Sequence, residues 1–334
     1  MNIIYVEDCC EILDSKRVPI TASERKRGEY PYYGANGIQD YVSDYIFDDE
    51  LVLLAEDGGN FGSKERPIAY KVSGKCWVNN HAHVLKPRAC INVDYLCYAL
   101  MFYNVDGMVN GATRQKLTQA AMRKMQIPFR RMEEQVHIVD ELNRLVKIKE
   151  QRQQELILLD TLIKARFVEL FGDPIINSKG LETKELNEVL VLKAGDFTAA
   201  SDISVEPTEI NIYPCYGGNG IRGYVAEYNQ EGEYSLVGRQ GALSGNVQYA
   251  TGKFKNTEHA LLVKPIIQMN SIWLNQLLLN LDLKRYQTGA AQPGLSVKNL
   301  QEIHIIMVPI DEQRQFAEFV KQIDKSKLQK FSAA

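Results

Sequence analysis

The sequence predicts an α+β fold: two tandem domains of similar fold, each followed by a long helix, the two helices pairing as an antiparallel coiled coil. Three observations predict it. A Tyr- and Gly-rich block near the N-terminus returns in the second half of the chain. Further landmarks follow it in the same order in both halves. Two stretches with apolar residues spaced by three and four close the two copies, the period of a helix burying one stripe.

The repeat is the first element to justify, because a missed repeat misassigns a whole fold. Tyr30-Pro-Tyr-Tyr-Gly-Ala-Asn-Gly-Ile-Gln-Asp-Tyr-Val42 matches Tyr213-Pro-Cys-Tyr-Gly-Gly-Asn-Gly-Ile-Arg-Gly-Tyr-Val225 at a separation of 183 residues. The same separation holds for Leu53/Leu236, Leu54/Val237 and Gly58/Gly241. It falls to 178 for Gly74/Gly252, His81/His259, Lys86/Lys264, Gly111/Gly289, Leu117/Leu295 and Gln135/Gln313. The second copy therefore lacks five residues between the Gly58 and Gly74 positions, and a loop is the expected place for the loss.

Each copy carries the same punctuation. Asn36-Gly37 and Asn219-Gly220 lie between β-branched and aromatic runs and read as hairpin turns. Residues 51–54 and 235–237 read as short buried strands. Each enters a Gly-rich loop, residues 56–62 and 238–245, where backbone can approach a ligand closely. Helices are expected over 93–103 and 271–280.

Between the copies, Val139, Leu142, Val146, Leu156, Leu159, Ile163, Phe167 and Leu170 form one apolar stripe, interrupted by the polar run 149–155. Glu133 and Glu134 suit the first turn of that helix, and Gly172 with Pro174 marks its end. A helix of about 40 residues is a rod of roughly 60 Å. The second helix opens alike at Asp311-Glu-Gln-Arg314, carries Phe316, Val320 and Ile323, and is about half as long. The seam between the two is expected to use Val139, Leu142, Val146, Leu156, Leu159, Ile163, Leu170, Phe316, Val320 and Ile323. The expected organisation is a first domain over 1–131, a central helix over 132–172, a second domain over 173–309 and a shortened terminal helix over 310–334.

Composition limits the function classes. The 334 residues are 45% hydrophobic and 24% charged, with no apolar run long enough to span a membrane. The first residues lack the basic start and apolar core of a signal peptide, so a cytoplasmic chain is expected. Six cysteines without a C-x-x-C pair are read as reduced thiols. The net charge of −3 argues against a nucleic-acid partner, but local charge decides binding. Lys16, Arg17, Arg25, Lys26 and Arg27 are opposed in that stretch only by Glu24 and Glu29.

The search for catalytic motifs is negative. There is no phosphate loop, no dinucleotide fingerprint, no nucleophile elbow and no H-E-x-x-H. His81-Ala-His83 lacks a supporting cysteine or carboxylate cluster, so no metal is expected. What remains are side chains that read duplex DNA: Arg and Lys pair with guanine, Asn and Gln with adenine, and Ser and Thr with either. The candidates in the first copy are Lys16, Arg17, Arg25, Lys26, Arg27, Tyr33, Asn36, Asn60, Lys64, Asn79, Asn80, His81, Arg114 and Lys116. In the second they are Tyr216, Asn219, Arg222, Arg239, Gln240, Ser244, Asn246, Asn256, Thr257, His259 and Gln292. The scaffold residues match between copies while these differ, as Asp57 against Gln240 and Gln39 against Arg222. Recognition of two unlike half-sites needs that pattern.

Taken together, Tyr30 to Ile38 with its repeat, Arg239-Gln-Gly241, Asn79 to Pro87, Glu133-Glu-Gln135 opening a long helix and Phe171-Gly-Asp-Pro174 closing it resemble the specificity (S) subunits of type I restriction–modification systems. The resemblance covers nearly the whole chain. It implies two target recognition domains, each reading half of a bipartite DNA site. It implies helices that set the gap and dock two modification (methyltransferase) subunits, joined by ATP-dependent restriction subunits. S-adenosylmethionine, ATP and Mg would be bound by those partners and no cofactor by this chain, which would not itself be catalytic. Two other readings stand beside it: a DNA-modifying enzyme with an unrecognised site, and a non-catalytic assembly adapter.

Overall fold

The computed structural model describes residues 2–111, 114–241, 243–289 and 294–332. The chain divides into two compact units, Met1–Gln151 and Arg152–Ala334.

The first unit is organised around a six-stranded sheet. A short strand β1 (Ile3–Tyr5) and a one-turn helix α1 (Val6–Cys9) lead into β2 (Cys10–Ile12). Then come β3 (Arg27–Gly34), β4 (Gly37–Val42), β5 (Phe47–Ala55), β6 (Ala69–Val78) and β7 (Ala82–Pro87). The sheet order is β2-β7-β5-β6-β3-β4. Helix α2 (Val93–Met101) follows, then β8 (Val109–Asn110), β9 (Lys116–Leu117), the short helix α3 (Gln119–Arg123) and β10 (Gln126–Pro128), which pairs back onto β1.

Strand β5 shows why this sequence makes a central strand. Leu51 to Ala55 are all fully buried, as a strand covered on both faces must be. Successive side chains point to opposite faces. Leu51 and Leu53 join Val72, Val78 and Val84 on one face. Val52 and Leu54 join Leu85, Leu96, Leu100 and Ile127 on the other, under α2. Asn92 caps α2, its side-chain oxygen accepting the Asp94 and Tyr95 N–H groups.

The second unit repeats the plan. After β11 (Thr183–Glu185) and the one-turn α5 (Leu186–Val189) come β12 (Leu190–Ala194), β13 (Tyr213–Gly217), β14 (Gly220–Val225), β15 (Gln230–Gly238), β16 (Val247–Asn256) and β17 (Ala260–Pro265). Their order, β12-β17-β15-β16-β13-β14, is that of the first sheet position for position. Helix α6 (Ser271–Asn280), the short α7 (Val297–Gln301) and β18 (His304–Ile306) complete it. The five missing residues fall between sheet strands: residues 56–68 join β5 to β6, whereas 239–246 join β15 to β16.

The hairpin turns form as expected, with one refinement. Gly37 and Gly220 take positive φ, 110° and 98°, but neither preceding asparagine does. Asn36 instead donates from its side chain to the Gly58 carbonyl at 3.0 Å, tying the turn to the Gly-rich loop.

Helix α4 (Met132–Phe171) runs unbroken through the polar stretch 149–155. It stops at Gly172, whose φ of 77° releases the chain while its N–H bonds the Val168 carbonyl at 2.8 Å. Helix α8 (Ile310–Ser332) closes the second copy. The Gln shared by the two helix starts has a structural reason. Gln135 accepts from Asn92 N–H at 2.8 Å and Gln313 from Asn270 N–H at 2.8 Å, so each long helix is fastened to the cap of the preceding short one.

Several expected seam residues sit elsewhere. Val139 packs into the first unit's own core, and Val146 and Leu170 are exposed. In the second unit the buried apolar positions of α4 are Ile163, Phe167 and Phe171, packed with Phe316 and Val320 of α8. Phe316 meets Phe171 at 5.6 Å, and Lys327 pairs with Asp160 at 2.7 Å, so the contacts run in opposite directions along the two helices. Leu142, Leu156, Leu159 and Ile323 are half-buried. Ile163, Phe316 and Val320 are buried as expected; at the end of α4, Phe171 and not Leu170 takes the inward position.

Candidate nucleic-acid interface

In each sheet one end gathers the hairpin turn, the Gly-rich loop and the connection before the last long strand. In the first unit Asn36 bonds Gly58 in the loop. Asn79 donates to Gln39 at 3.0 Å and accepts the His81 N–H at 2.8 Å. Asp57 bridges to the strand carrying Lys116. Asp57 Oδ1 also takes His81 Nδ1 at 2.6 Å and Arg114 Nη2 at 2.8 Å. The end of the sheet is thus a continuous polar surface with exposed Asn36, Asn80, Arg114 and Lys116 on it.

Beneath that surface lies a closed charge network. His83 is fully buried, with Nδ1 2.7 Å from Asp14 Oδ2 and Nε2 2.9 Å from the Leu117 carbonyl. Asp14 also accepts Val84 N–H at 2.8 Å and Gln119 Nε2 at 2.9 Å. Glu56 meets Arg17 at 2.6 Å and Lys116 at 3.0 Å. Burial alone would raise both acids. The His83 and Gln119 partners of Asp14, and the Arg17 and Lys116 partners of Glu56, outweigh it and hold both carboxyls below the ordinary range. Asp14, Glu56 and His83 have ligand atoms within 4.8 Å of one another. Cationic and N–H donors already occupy all four carboxylate oxygens, which makes the cluster a set of ion pairs.

The second unit keeps the backbone bonds and changes the side chains. Glu56 N–H donates to the His81 carbonyl at 2.9 Å and Arg239 N–H to the His259 carbonyl at 3.1 Å. Leu117 N–H reaches the Glu56 carbonyl at 2.7 Å, and Leu295 N–H the Arg239 carbonyl at 2.9 Å. Strand register places Ala194 where Asp14 stands and Leu261 where His83 stands. Lys116 is matched by Gly294. Among the described residues Arg239 makes no ion pair, and it borders a hollow of about 470 Å³ with Gln240, Gly241, Thr288 and Gly294. His259 is held by Gln240 at 3.0 Å, as His81 is by Asp57.

Some candidates do not face outward, and these are corrections. Arg17 is 13% exposed at its side chain and is engaged by Asp14, Glu56 and the Ala82 carbonyl. Asn79, Ser244, Asn256 and Thr257 are buried, and Thr257 donates to the Tyr216 carbonyl at 2.8 Å. The basic run splits in space. Lys16 lies beside Arg17, whereas Lys26 and Arg27 sit at the far end of the β3–β4 hairpin, roughly 25 Å of strand away from the turn. Arg25 lies over the Tyr32 ring at 4.2 Å and against Asp40 at 3.4 Å.

Tyr33 and Tyr216 are half-buried, the first tilted against Tyr70 and the second edge-on to Phe254. Asn60 is half-buried with its amide on the Pro67 carbonyl, and Lys64 is exposed in the same loop. Asn219 accepts from Asn246 at 2.9 Å. Arg222 and Gln240 are exposed. Gln292 lies outside the described residues. Sequence reasoning left Asp14, Glu56 and Asp57 out of the candidates because acids are not phosphate binders, and weighed His83 only as a metal ligand. The signal available was the aligned pair Glu56-Asp57 against Arg239-Gln240.

The class this arrangement defines is a duplicated α+β recognition module with one polar sheet end per copy. A family model described as "Type I restriction modification DNA specificity domain" matches residues 1–158 and 178–331. The chain therefore belongs to the type I restriction–modification specificity family. It is 43% identical over 141 residues to the "Type I restriction enzyme EcoprrI specificity subunit" of Escherichia coli, covering 42% of this chain and 35% of that protein. It is 36% identical over 143 residues to a putative type I restriction enzyme specificity subunit of Haemophilus influenzae, covering 43% and 37%. The matched stretch thus spans about a third of the length of these relatives.

In solved structures the fold matches the S subunit from M. genitalium, with a TM-score of 0.59 at 17% identity over 98% of this chain and 90% of that one. A chain from a structure titled for complex assembly and conformational transition of the type I R-M system matches with a TM-score of 0.54 at 14% identity, over 99% and 92%. Among the described residues no helix is long and apolar enough to cross a membrane.

Proposed function

We propose that this chain is the DNA-reading specificity subunit of a type I restriction–modification complex, each domain reading one half of a bipartite duplex site. One observation carries the reading: two sheet ends with the same backbone hydrogen bonds present different side chains, Arg114 and Lys116 over a buried Glu56 in one and Arg239 with Gln240 in the other. Such a pair holds two protein surfaces in equivalent frames while offering different donors and acceptors to base edges. The family supports the same role. In this reading α4 and α8 pair as an antiparallel coiled coil, set the gap and dock two methyltransferase subunits. Those subunits bind S-adenosylmethionine, and restriction subunits bring ATP and Mg. The chain itself reads and does not catalyse.

The test is methylome sequencing of a methylation-free host expressing this chain with its methyltransferase subunits. A two-part motif with a fixed gap is expected. Arg239→Ala should relax one base position in one half only, by roughly 5- to 150-fold in discrimination. A motif that is not bipartite, or a change spread over both halves, would overturn the reading.

A further inference from the structure

The histidine present in both copies is held through the same ring atom. His81 Nδ1 faces Asp57 Oδ1 at 2.6 Å, and His259 Nδ1 faces Gln240 Oε1 at 3.0 Å. Asp57 and Gln240 are equivalent positions, each one residue beyond the matched pair Glu56/Arg239. Asp57 Oδ1 only accepts, so in the first copy the shared hydrogen is carried by Nδ1. The neutral ring then keeps its lone pair on Nε2. Arg114 reinforces this at Asp57, because a guanidinium only donates and claims the same Oδ1 at 2.8 Å.

The copies diverge at the other nitrogen. His259 Nε2 lies 3.1 Å from Glu258 Oε1. The position equivalent to Glu258 is Asn80, and His81 Nε2 makes no hydrogen bond among the described residues. The His81 side chain is 33% exposed at the polar sheet end. Glu258 Oε1 only accepts, so His259 Nε2 is a donor there, whereas His81 Nε2 is an oriented, open acceptor.

We infer that Asp57 is a positioning residue for base discrimination by the first domain. It fixes the tautomer of His81 so that Nε2 accepts from the exocyclic amino group of adenine or cytosine in the major groove. This rests on the DNA-reading role proposed above. Adenine N6 and cytosine N4 carry hydrogens at that edge, whereas guanine O6 and thymine O4 present lone pairs that would oppose the Nε2 lone pair. Asp57→Ala frees the ring to carry its hydrogen on either nitrogen, and the preference for amino over keto bases is lost. Asp57→Asn keeps it, because Arg114 turns the amide oxygen toward itself and so toward Nδ1.

The experiment uses the full chain assembled with its methyltransferase subunits. Competition binding is measured to duplexes carrying each of the four bases at every position of the methylome-derived site. Asp57→Ala should lower amino-over-keto discrimination at one position of one half-site by roughly 5- to 150-fold, and Asp57→Asn should retain it. The other half-site should be unchanged in both.

Unaltered preferences in Asp57→Ala would overturn the inference while leaving DNA reading intact. Equal loss in Asp57→Asn would also overturn it, by showing that the carboxylate charge and not the tautomer matters. If the wild-type complex discriminates no bases, the DNA-reading role itself fails. Should Asp57→Ala not assemble, His81→Ala, which removes an exposed ring, must lose discrimination at one position only. Loss at none or at several sinks the idea.

Discussion

Replacing Gln135 with alanine should loosen the first unit more than the matching change loosens the second. Gln135 is fully buried at the start of α4. It accepts Asn92 N–H at 2.8 Å and donates to the Cys90 and Arg130 carbonyls at 3.0 and 2.9 Å. Gln313 makes two such bonds, from Asn270 N–H at 2.8 Å and to the Val308 carbonyl at 2.9 Å. A buried hydrogen bond contributes about 1 kcal/mol net, so Gln135→Ala should cost about 3 kcal/mol and Gln313→Ala about 2 kcal/mol. The assay is native-state hydrogen exchange of the full chain, with the slowest amides of β5 and β15 reporting each core separately. Gln153→Ala, on an exposed turn of α4, is the control. A loss below about 1 kcal/mol at β5, or a loss no larger than the control's, would refute the claim that these glutamines fasten the long helices.

Three further outcomes follow from the same geometry. Phe167→Ala empties a fully buried site ringed by Phe171, Trp273 and Phe316, and urea unfolding should show a loss of about 3–5 kcal/mol in the second unit. Asp14 and Glu56 have folded-state pKa values depressed below their unfolded ones. Their contribution is present above the unfolded values and drains away as pH falls through the folded ones. Exchange protection of β5 should therefore drop on acidification below about pH 4 while β15, with Ala194 and Leu261 at two of the network positions, drops less; equal acid sensitivity would contradict the network. Neutralising the exposed Lys26 and Arg27 together should flatten the salt dependence of DNA affinity by up to about two units of log–log slope if both meet phosphates, with base preference unchanged. No change in slope would place the far end of the hairpin off the DNA.

The duplication and both long helices were legible because they rest on period and repetition, which survive in one dimension. The lost loop residues could be located to a segment for the same reason. The site was less legible. A basic run such as Lys16 to Arg27 reads as one patch along the chain, but an eight-residue strand separates its ends. Arg17 looked like a phosphate contact because its partner Glu56 lies 39 residues away, across the sheet. Burial of Asn79 and Thr257 likewise depends on strand β3 or β13 arriving beside them, and no local pattern encodes that.

The closed network under the first sheet end has a consequence for how such domains can change. Arginine introduced at position 56 alone would place a third cationic or imidazole group beside Arg17 and His83, with Asp14 as the one remaining carboxylate of the network, and leave Lys116 unpaired. Leucine introduced at position 83 alone would take from Asp14 its closest partner, leaving it to Arg17, Gln119 and the Val84 N–H. The second domain carries arginine at that place with alanine, leucine and glycine in the neighbouring positions. Conversion between the two surfaces thus calls for several coordinated changes, because each member of the network is a partner of at least one other.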